Sequence, residues 1–254
     1  MHRILATMLL ALALVACGGG QPALTDPAEI VTSGLKATSE LSSAHIEIAV
    51  DGTVDVAEMG TTLDLAGTKL EGDFDLANTA ASLTFKVPAF LGVTGEVIAL
   101  DGASYVKTSM TGAQWMKQET SGEDDPLSQA QDPKQALAEL EKFLAMDGVE
   151  TTKRDDVDCG EKTCYSVQLI IPASLLNEEL AAEAPSDLIG EDDLVIELLF
   201  DKEKLYLTEA STSVTAPEMG TISITLTLSA FNESVSISAP PEDEVVEGNP
   251  FDLP

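Results

Sequence analysis

Apolar and polar residues alternate through most of the chain, which is the period-2 pattern of β-strands with one face in water. Residues 221–229 show this pattern without an error, since isoleucine or leucine at every second position is separated by threonine or serine. The same alternation marks several other segments, at 46–56, 63–65, 70–76, 83–87, 165–171, 194–200 and 235–237. Together with a more fully apolar strand at 93–100 and short strands at 103–108 and around Trp115, they predict ten or eleven strands, with Gly52 marking a bend or bulge in the first.

Three segments have helical spacing and helix-start signals instead. Asp26-Pro27-Ala28-Glu29 supplies an N-cap, a proline at the first helical position and a capping-box glutamate, so a helix is predicted over 27–42. Val31, Leu35, Thr38 and Leu41 share one face of it. The start signal recurs at Asp132-Pro133 and predicts a helix over 132–146, and Ser174 can cap a third over 174–184, which Pro185 ends.

Many strands with one apolar face and few helices favour an α+β fold built on one large antiparallel sheet. Such a wide sheet curves strongly, because the twist between neighbouring strands accumulates. Three short amphipathic helices cover only part of its apolar face. Either the sheet folds onto itself and fills its core, or it leaves an apolar cavity for a ligand, and periodicity alone does not choose between them.

The N-terminal segment indicates export. An uncharged apolar run, Ile4 to Val15, follows His2 and Arg3, and it is shorter than the ~20 residues that a membrane-spanning helix needs. Leu14-Val15-Ala16-Cys17 looks like the lipobox of bacterial lipoproteins, in which the chain is cut before a cysteine that becomes acylated. We therefore expect a signal peptide at 1–16, and an acylated Cys17 with a flexible tether at 17–25. An ordinary signal peptide with an incidental cysteine is the alternative.

The net charge argues against nucleic-acid binding, and the cysteine spacing indicates a disulfide. The chain has 44 acidic and 13 basic residues, a net charge of −31, which repels nucleic acid. Cys159 and Cys164 form a C-x4-C pair around Gly160, and in an exported protein this is most simply a disulfide. The acidic residues after 241 predict a disordered tail at 242–254.

Nothing in the sequence favours an enzyme. His45 is the only histidine of the expected mature chain, and there is no G-x-S-x-G, P-loop, G-x-G-x-x-G or zinc-ligand motif. We expect no cofactor and no metal site, and we interpret the acidic loop at 119–131 as solvated, since its spacing differs from that of a calcium loop.

Three motifs carry a resemblance to a known family. They are Leu100-Asp101-Gly102-Ala103-Ser104-Tyr105-Val106-Lys107 followed by Trp115; Val149-Glu150 to Val157-Asp158-Cys159-Gly160 followed by Cys164-Tyr165-Ser166-Val167; and Thr225-Leu226-Thr227-Leu228-Ser229-Ala230-Phe231-Asn232 followed by Val235 to Pro241. In this order and spacing they resemble the LppX/LprG-type lipoproteins of actinobacteria over residues 26 to 242. The chain departs from that family in its acidity and in its cysteine pair.

The resemblance implies a half-barrel sheet with helices over its concave face, similar to the LolA/LolB carriers, formed here by one domain at 26–241. Members of the family bind lipids or lipoglycans between the sheet and the helices. The expected partners are a lipid or glycolipid, the membrane through Cys17, and a membrane lipid exporter, with no nucleic acid. We expect a monomer on the cell membrane that faces the periplasm or the extracellular side.

Apolar side chains of the strands and of the second and third helices are the expected ligand contacts. They are Ile46, Ile48, Leu83, Phe85, Leu140, Leu144, Leu175, Leu176, Ile196, Leu198, Phe200, Ile224 and Leu226. Plain core packing is the alternative for each of them. The alternative function is a non-catalytic envelope scaffold or sensory domain with a filled core.

Overall fold

A computed structural model describes residues 23–56, 60–119, 133–144, 146–180, 192–216 and 220–248. The signal peptide, Cys17, the predicted cap Asp132, the helix stop Pro185 and most of the acidic loop lie outside these residues. What the sequence indicates about them stays a prediction.

The described residues form three α-helices, as predicted, and fourteen strands, more than predicted. The helices are α1 (Pro27–Ser39), α2 (Pro133–Leu144) and α3 (Ala173–Leu180). The strands are β1 (Ser43–Val56), β2 (Thr61–Asp64), β3 (Thr68–Asp75), β4 (Ala80–Val87), β5 (Val93–Leu100), β6 (Ala103–Thr108), β7 (Trp115–Glu119), β8 (Glu150–Lys153), β9 (Val157–Cys159), β10 (Lys162–Ile171), β11 (Leu194–Asp201), β12 (Leu207–Ala216), β13 (Gly220–Ser229) and β14 (Val245–Glu247).

All fourteen strands belong to one open, curled sheet. Its order is β14-β7-β6-β5-β4-β3-β1-β13-β12-β11-β10-β8, with β2 paired to β1 and β9 paired to β10. Every pair is antiparallel except β14 with β7. The predicted α+β fold with a curved antiparallel sheet is confirmed.

Gly52 is the point at which β1 changes partner. Residues 43–50 of β1 pair with β3, and residues 53–56 pair with β2. Gly52 has a φ of +119°, and a Cβ there would lie 2.0 Å from the carbonyl oxygen of Thr221. Only glycine fits this close approach of β13, which accounts for the predicted bend.

Helix α1 packs flat on the sheet. Asp26 caps it by accepting hydrogen bonds from the backbone N–H groups of Ala28 (2.9 Å) and Glu29 (3.4 Å). The predicted inward face is confirmed, since Val31, Leu35, Thr38 and Leu41 are all buried. The helix ends at Ser39, three residues before the predicted end.

Two predictions for the last part of the chain are wrong. Residues 235–237 form no strand, although their side chains alternate, because they pair with no neighbouring strand. The chain instead turns through a 3₁₀-helix at Glu242–Glu244 into β14, which pairs with β7 from Val245 opposite Trp115 to Glu247 opposite Lys117. This part of the predicted disordered tail is therefore a strand of the sheet.

Gly34 sets the distance between α1 and the sheet, and it generates a stability prediction. A Cβ at this position would lie 2.2 Å from the ring of Phe200, which is fully buried and has no free space to move into. We expect Gly34→Leu to destabilise the protein by at least ~1–3 kcal/mol, because overpacking forces the helix and the ring apart. Thr32→Leu, at an exposed position of the same helix, is the matched control and should change the denaturation midpoint little. Equal midpoints for the two variants in chemical denaturation would contradict the expectation.

Candidate functional site

Strand register shows which of the predicted contacts share a face of the sheet. Directly opposed residues of paired strands project to the same side. Leu198, Leu226, Ile48 and Phe85 lie in one row, linked through Ala210 and Leu70. Ile196 and Ile224 lie in the adjacent row on either side of Thr212, and Ile46 and Leu83 lie in a third on either side of Gly72. Phe200 shares the face of Leu198, two residues before it in β11.

This shared side, called the inner face below, is the one on which α1 packs. Ile30, Val31 and Leu35 of α1 form one buried cluster with Val167, Leu198, Phe200 and other inner-face residues. All nine predicted contacts on strands therefore point towards the helical side. Their role in ligand binding stays a prediction.

The helices cover one half of the inner face. Helix α1 packs on β8, β10, β11 and β12 and against α2. Leu140 and Leu144 of α2 lie beside Ile196, and Leu175 and Leu176 of α3 pack near Leu169 and Ile171. Four of the predicted contacts therefore lie at the helix–sheet junction, between α2, α3 and the sheet.

Leu198 and Phe200 are core residues. Both are 0% exposed beneath α1, so no part of their side chains remains available to a ligand. A ligand would reach them only if α1 moved. For these two residues the structure favours the core-packing alternative.

No described helix packs extensively on the other half of the inner face, although Leu228 of β13 borders the cluster beneath α1. We call this half the open half and define it as the inner-face residues of β1, β13, β3, β4 and β5. Ile48, Phe85 and Leu226 are only partly buried there, and Ile224 is 40% exposed. Its buried cluster is small, with Phe74, Ala81 and Ala99 as the buried members and Ile46, Leu76 and Leu83 around them, and none of these is helical.

Two glycines of the open half leave room for atoms of the neighbouring strand β4. Gly72 pairs with Leu83, and Gly95 pairs with Phe85. The ring of Phe85 lies over Gly95, since a Cβ at Gly95 would come within 2.4 Å of it, and a Cβ at Gly72 would lie 2.0 Å from the carbonyl oxygen of Ser82. A side chain in place of either glycine would therefore clash with β4.

Sequence analysis missed several members of this surface. Val50, Leu70, Val97, Val214 and Ile222 also lie on the inner face. Their alternation carries the same signal as that of Ile48. Which half of the sheet the helices leave uncovered depends on tertiary contacts, so no signal in the sequence could have selected them.

Two surface pockets flank the inner face. One, of about 430 Å³, is lined by Phe85, Gly95, Lys107, Thr108 and Ser109 among others, at one end of β4, β5 and β6. The other, of about 480 Å³, lies between the β9–β10 turn and the ends of β12 and β13, with Leu228 and Phe231 in its wall.

The predicted disulfide between Cys159 and Cys164 is present and joins β9 to β10. Beside it, the fully buried carboxylate of Asp201 pairs with the ammonium group of Lys162. The backbone N–H groups of Glu203 and Lys204 also donate to Asp201, at 2.6 and 3.0 Å. Burial acts to raise the pKa of Asp201, but these hydrogen bonds and the charge of Lys162 outweigh it and lower the pKa.

The side chains around His45 do not form a nucleophile–base pair. Its Nδ1 lies 2.8 Å from Asp73 Oδ1, whereas the hydroxyl of Ser43 donates to the carbonyl oxygen of Glu233 at 2.6 Å. Within the described part of the chain, no three histidine, cysteine or acidic side chains are grouped as metal ligands would be.

Two solved structures share this architecture. Lipoprotein LppX from Mycobacterium tuberculosis matches 84% of this chain and 100% of its own at a TM-score of 0.55 and 20% sequence identity. The chain has the LppX fold. LprF from Mycobacterium bovis also matches, over 86% of this chain and 98% of its own, at a TM-score of 0.55 and 18% identity. No protein-family model matches the chain, and no curated protein sequence does.

These likenesses confirm the fold that the motif resemblance implied, and at these identities they concern the LppX fold alone. None of the described helices is long and apolar enough to cross a membrane.

The buried pair of Asp201 and Lys162 generates a pH prediction. Because the folded-state pKa of Asp201 is lowered, its stabilising contribution is present above the unfolded pKa of ~3.9 and is lost as pH falls through the folded pKa. We expect Asp201→Asn to lower the free energy of unfolding by ~1–3 kcal/mol near pH 7, because hydrogen bonds to a charged group are lost. The difference from the parent protein should shrink as pH falls below ~4.

Denaturant melts at a series of pH values measure this difference. Asp158→Asn removes the same charge from an exposed position in the hairpin that carries Lys162, and it should have little effect. A constant difference between Asp201→Asn and the parent down to pH 2 would rule out the ionised carboxylate as its source.

Proposed function

We propose that this protein is a lipid-anchored, non-catalytic protein of the cell envelope that binds the acyl chains of a lipid or glycolipid and holds or transfers them. The open half of the inner face carries the proposal. Apolar side chains continue across the inner face from the core beneath α1 into the open half, where Ile224 is 40% exposed and where no helix among the described residues packs extensively. Large apolar surfaces left open in this way mark binding sites.

Hydrocarbon burial provides the driving force. Each methylene group of an acyl chain that leaves water for this surface gains ~0.8 kcal/mol. Since association itself costs ~4–15 kcal/mol, a chain of a dozen or more methylene groups, or two shorter chains, is needed for stable binding. The ligand class is therefore long-chain lipid and not a small apolar metabolite.

The N-terminal motif and the disulfide support the cellular location. Leu14-Val15-Ala16-Cys17 and the apolar run before it are expected to direct export and acylation. The disulfide of Cys159 and Cys164 suits a compartment outside the cytoplasm. Delivery from or to a membrane lipid exporter would give the transfer step a partner.

The acidity of the chain bears on the choice of ligand. With a net charge of −31, the protein repels polyanionic lipoglycans at long range. A lipid with a neutral headgroup fits the charge balance better. The acyl chain supplies the affinity in either case.

Bound lipid is the direct test. The protein purified from its native membrane is extracted with organic solvent, and the extract is analysed by mass spectrometry after the anchor peptide is removed. We expect long-chain lipid in a fixed molar ratio. Repeated extracts without lipid, together with no change in melting temperature when lipids are added, would contradict the proposal.

A pair of variants tests the location. Ile224 and Val195 are both β-branched and similarly exposed, at 40% and 36%, but Ile224 lies on the inner face and Val195 on the outer face. We expect Ile224→Asn to weaken binding of a fluorescent fatty acid about tenfold, because ~1.5 kcal/mol of apolar contact is lost. Val195→Asn is the control and should bind as the parent does. Equal affinities for both variants would place the ligand elsewhere.

One observation favours the second candidate, a scaffold or sensory domain with a filled core. The half of the inner face under α1 is fully packed, with Leu198 and Phe200 at 0% exposure. In that case the open half would bind no lipid, and the extraction experiment would distinguish the two functions.

A further inference from the structure

Two neighbouring hairpin tips carry the most exposed large apolar side chains of the described residues. Phe90 and Leu91, in the turn between β4 and β5, are 58% and 102% exposed, and Met110, in the turn between β6 and β7, is 56% exposed. We call Phe90, Leu91 and Met110 the apolar tip.

Hydrogen bonds hold the two turns side by side. The backbone N–H of Ser109 donates to the carbonyl oxygen of Thr94 at 2.8 Å, and the backbone N–H of Thr94 donates to the hydroxyl of Ser109 at 3.3 Å. Within the first turn, the N–H of Gly92 donates to the carbonyl oxygen of Pro88 at 3.1 Å. The apolar tip is therefore a structured surface and not a pair of loose loops.

The backbone at Leu91 makes its exposure notable. Leu91 has a φ of +57°, a left-handed conformation that glycine and asparagine adopt more readily than leucine. Neither backbone conformation nor packing within the fold favours a large apolar residue there. A contact outside the fold would account for it.

The segment that carries the apolar tip lacks the negative charge of the rest of the chain. Residues 76–118, which contain β4 to β6 and most of β7, have two acidic residues, Glu96 and Asp101, and three lysines, Lys86, Lys107 and Lys117. The remainder of the chain has 42 acidic and 10 basic residues. The apolar tip thus lies on a segment that, unlike the strongly acidic remainder, has no net negative charge to repel an anionic membrane surface.

The position of the apolar tip suits a membrane contact. The connection from α1 reaches the sheet at Ser43 of β1, which pairs with Asp75 at the end of β3. The apolar tip lies at the opposite end of the strands, since Phe90 and Leu91 follow Val87 at the end of β4. The tip is therefore far from the point where α1 joins the sheet. The pocket of about 430 Å³ lies directly behind the tip, and its Phe85 belongs to the open half. Phe85 therefore joins the inner face to this pocket, whose remaining lining is largely polar.

We propose that the apolar tip docks on a lipid bilayer by inserting Phe90, Leu91 and Met110 into its interfacial region. The bilayer is the occupant that fits three apolar side chains at hairpin ends, a surrounding segment without net negative charge, and an apolar inner face that reaches the adjoining pocket at Phe85. Docking there places the open half next to the acyl chains of the membrane. That consequence for lipid exchange rests on the proposed function, whereas docking itself does not.

A tryptophan at position 91 tests the docking directly. The full chain with Leu91→Trp is mixed with phosphatidylcholine vesicles whose acyl chains are brominated, and the emission of parent protein, which has only the buried Trp115, is subtracted. We expect the emission to shift to shorter wavelength and to be quenched by the brominated chains. The tryptophan at position 91 is quenched only if that position itself contacts the acyl chains. An acylated N-terminus that holds the protein on the vesicle does not by itself cause this quenching.

Val157→Trp is the matched control, since Val157 is another exposed apolar residue, at 38%, in β9 beside the start of β10. Its emission should not be quenched. Adding Phe90→Asp and Met110→Asp to Leu91→Trp should remove most of the quenching, and circular dichroism should show an unchanged fold, because both side chains are exposed.

Three outcomes would overturn the proposal. They are no quenching at position 91, equal quenching at positions 91 and 157, and a dimer in vesicle-free solution that Phe90→Asp abolishes, which would assign the tip to a second copy of the chain. Quenching at position 91 in a protein that yields no extracted lipid would leave docking intact and contradict the proposed function alone.

Discussion

The structure depends on how the apolar face of one wide sheet is kept from water. A sheet of fourteen strands has one apolar side far larger than three short helices can cover. Helix α1 packs so closely on its half that Gly34 touches the ring of Phe200, and this close packing accounts for the fully buried core there. Within the part of the chain that the structure describes, no helix packs extensively on the remaining half of the inner face. A packed core and an open apolar surface are thus two parts of the same layer.

Local structure could be predicted where local chemistry decides it. The Asp26 cap, the inward residues of α1 and the alternation of β13 all follow from short-range rules, and the structure has them. The prediction failed at Val235 and Ile237, where alternation is present but no neighbouring strand pairs with it. It failed again at Val245, because a parallel pairing with β7 across about 130 residues of chain leaves no mark in a window of ten.

For the candidate site, the sequence likewise predicted the face on which each side chain lies but not its exposure. Parity along each strand correctly placed Ile48, Ile224 and Leu198 on one face of the sheet. It did not distinguish Leu198, which α1 covers completely, from Ile224, which remains exposed. That difference depends on where three helices settle on the sheet, and helix placement is a tertiary property. The same holds for Leu91, whose exposure depends on a turn conformation that the sequence around it does not encode.

Strand β14 has a consequence for how the protein meets other copies of itself. An open sheet ends in strands whose unpaired backbone groups are ready to associate with other chains. β14 occupies that position next to β7 and carries Glu247, within 3.6 Å of Lys117, with three further acidic residues in the preceding 3₁₀-helix. β14 therefore acts as a charged edge strand, which prevents the sheet from being extended by a strand of another molecule. Truncation before residue 242 would remove β14 and leave the backbone of β7 at Trp115 and Met116 unpaired at the edge of the sheet. We expect self-association to begin at that edge.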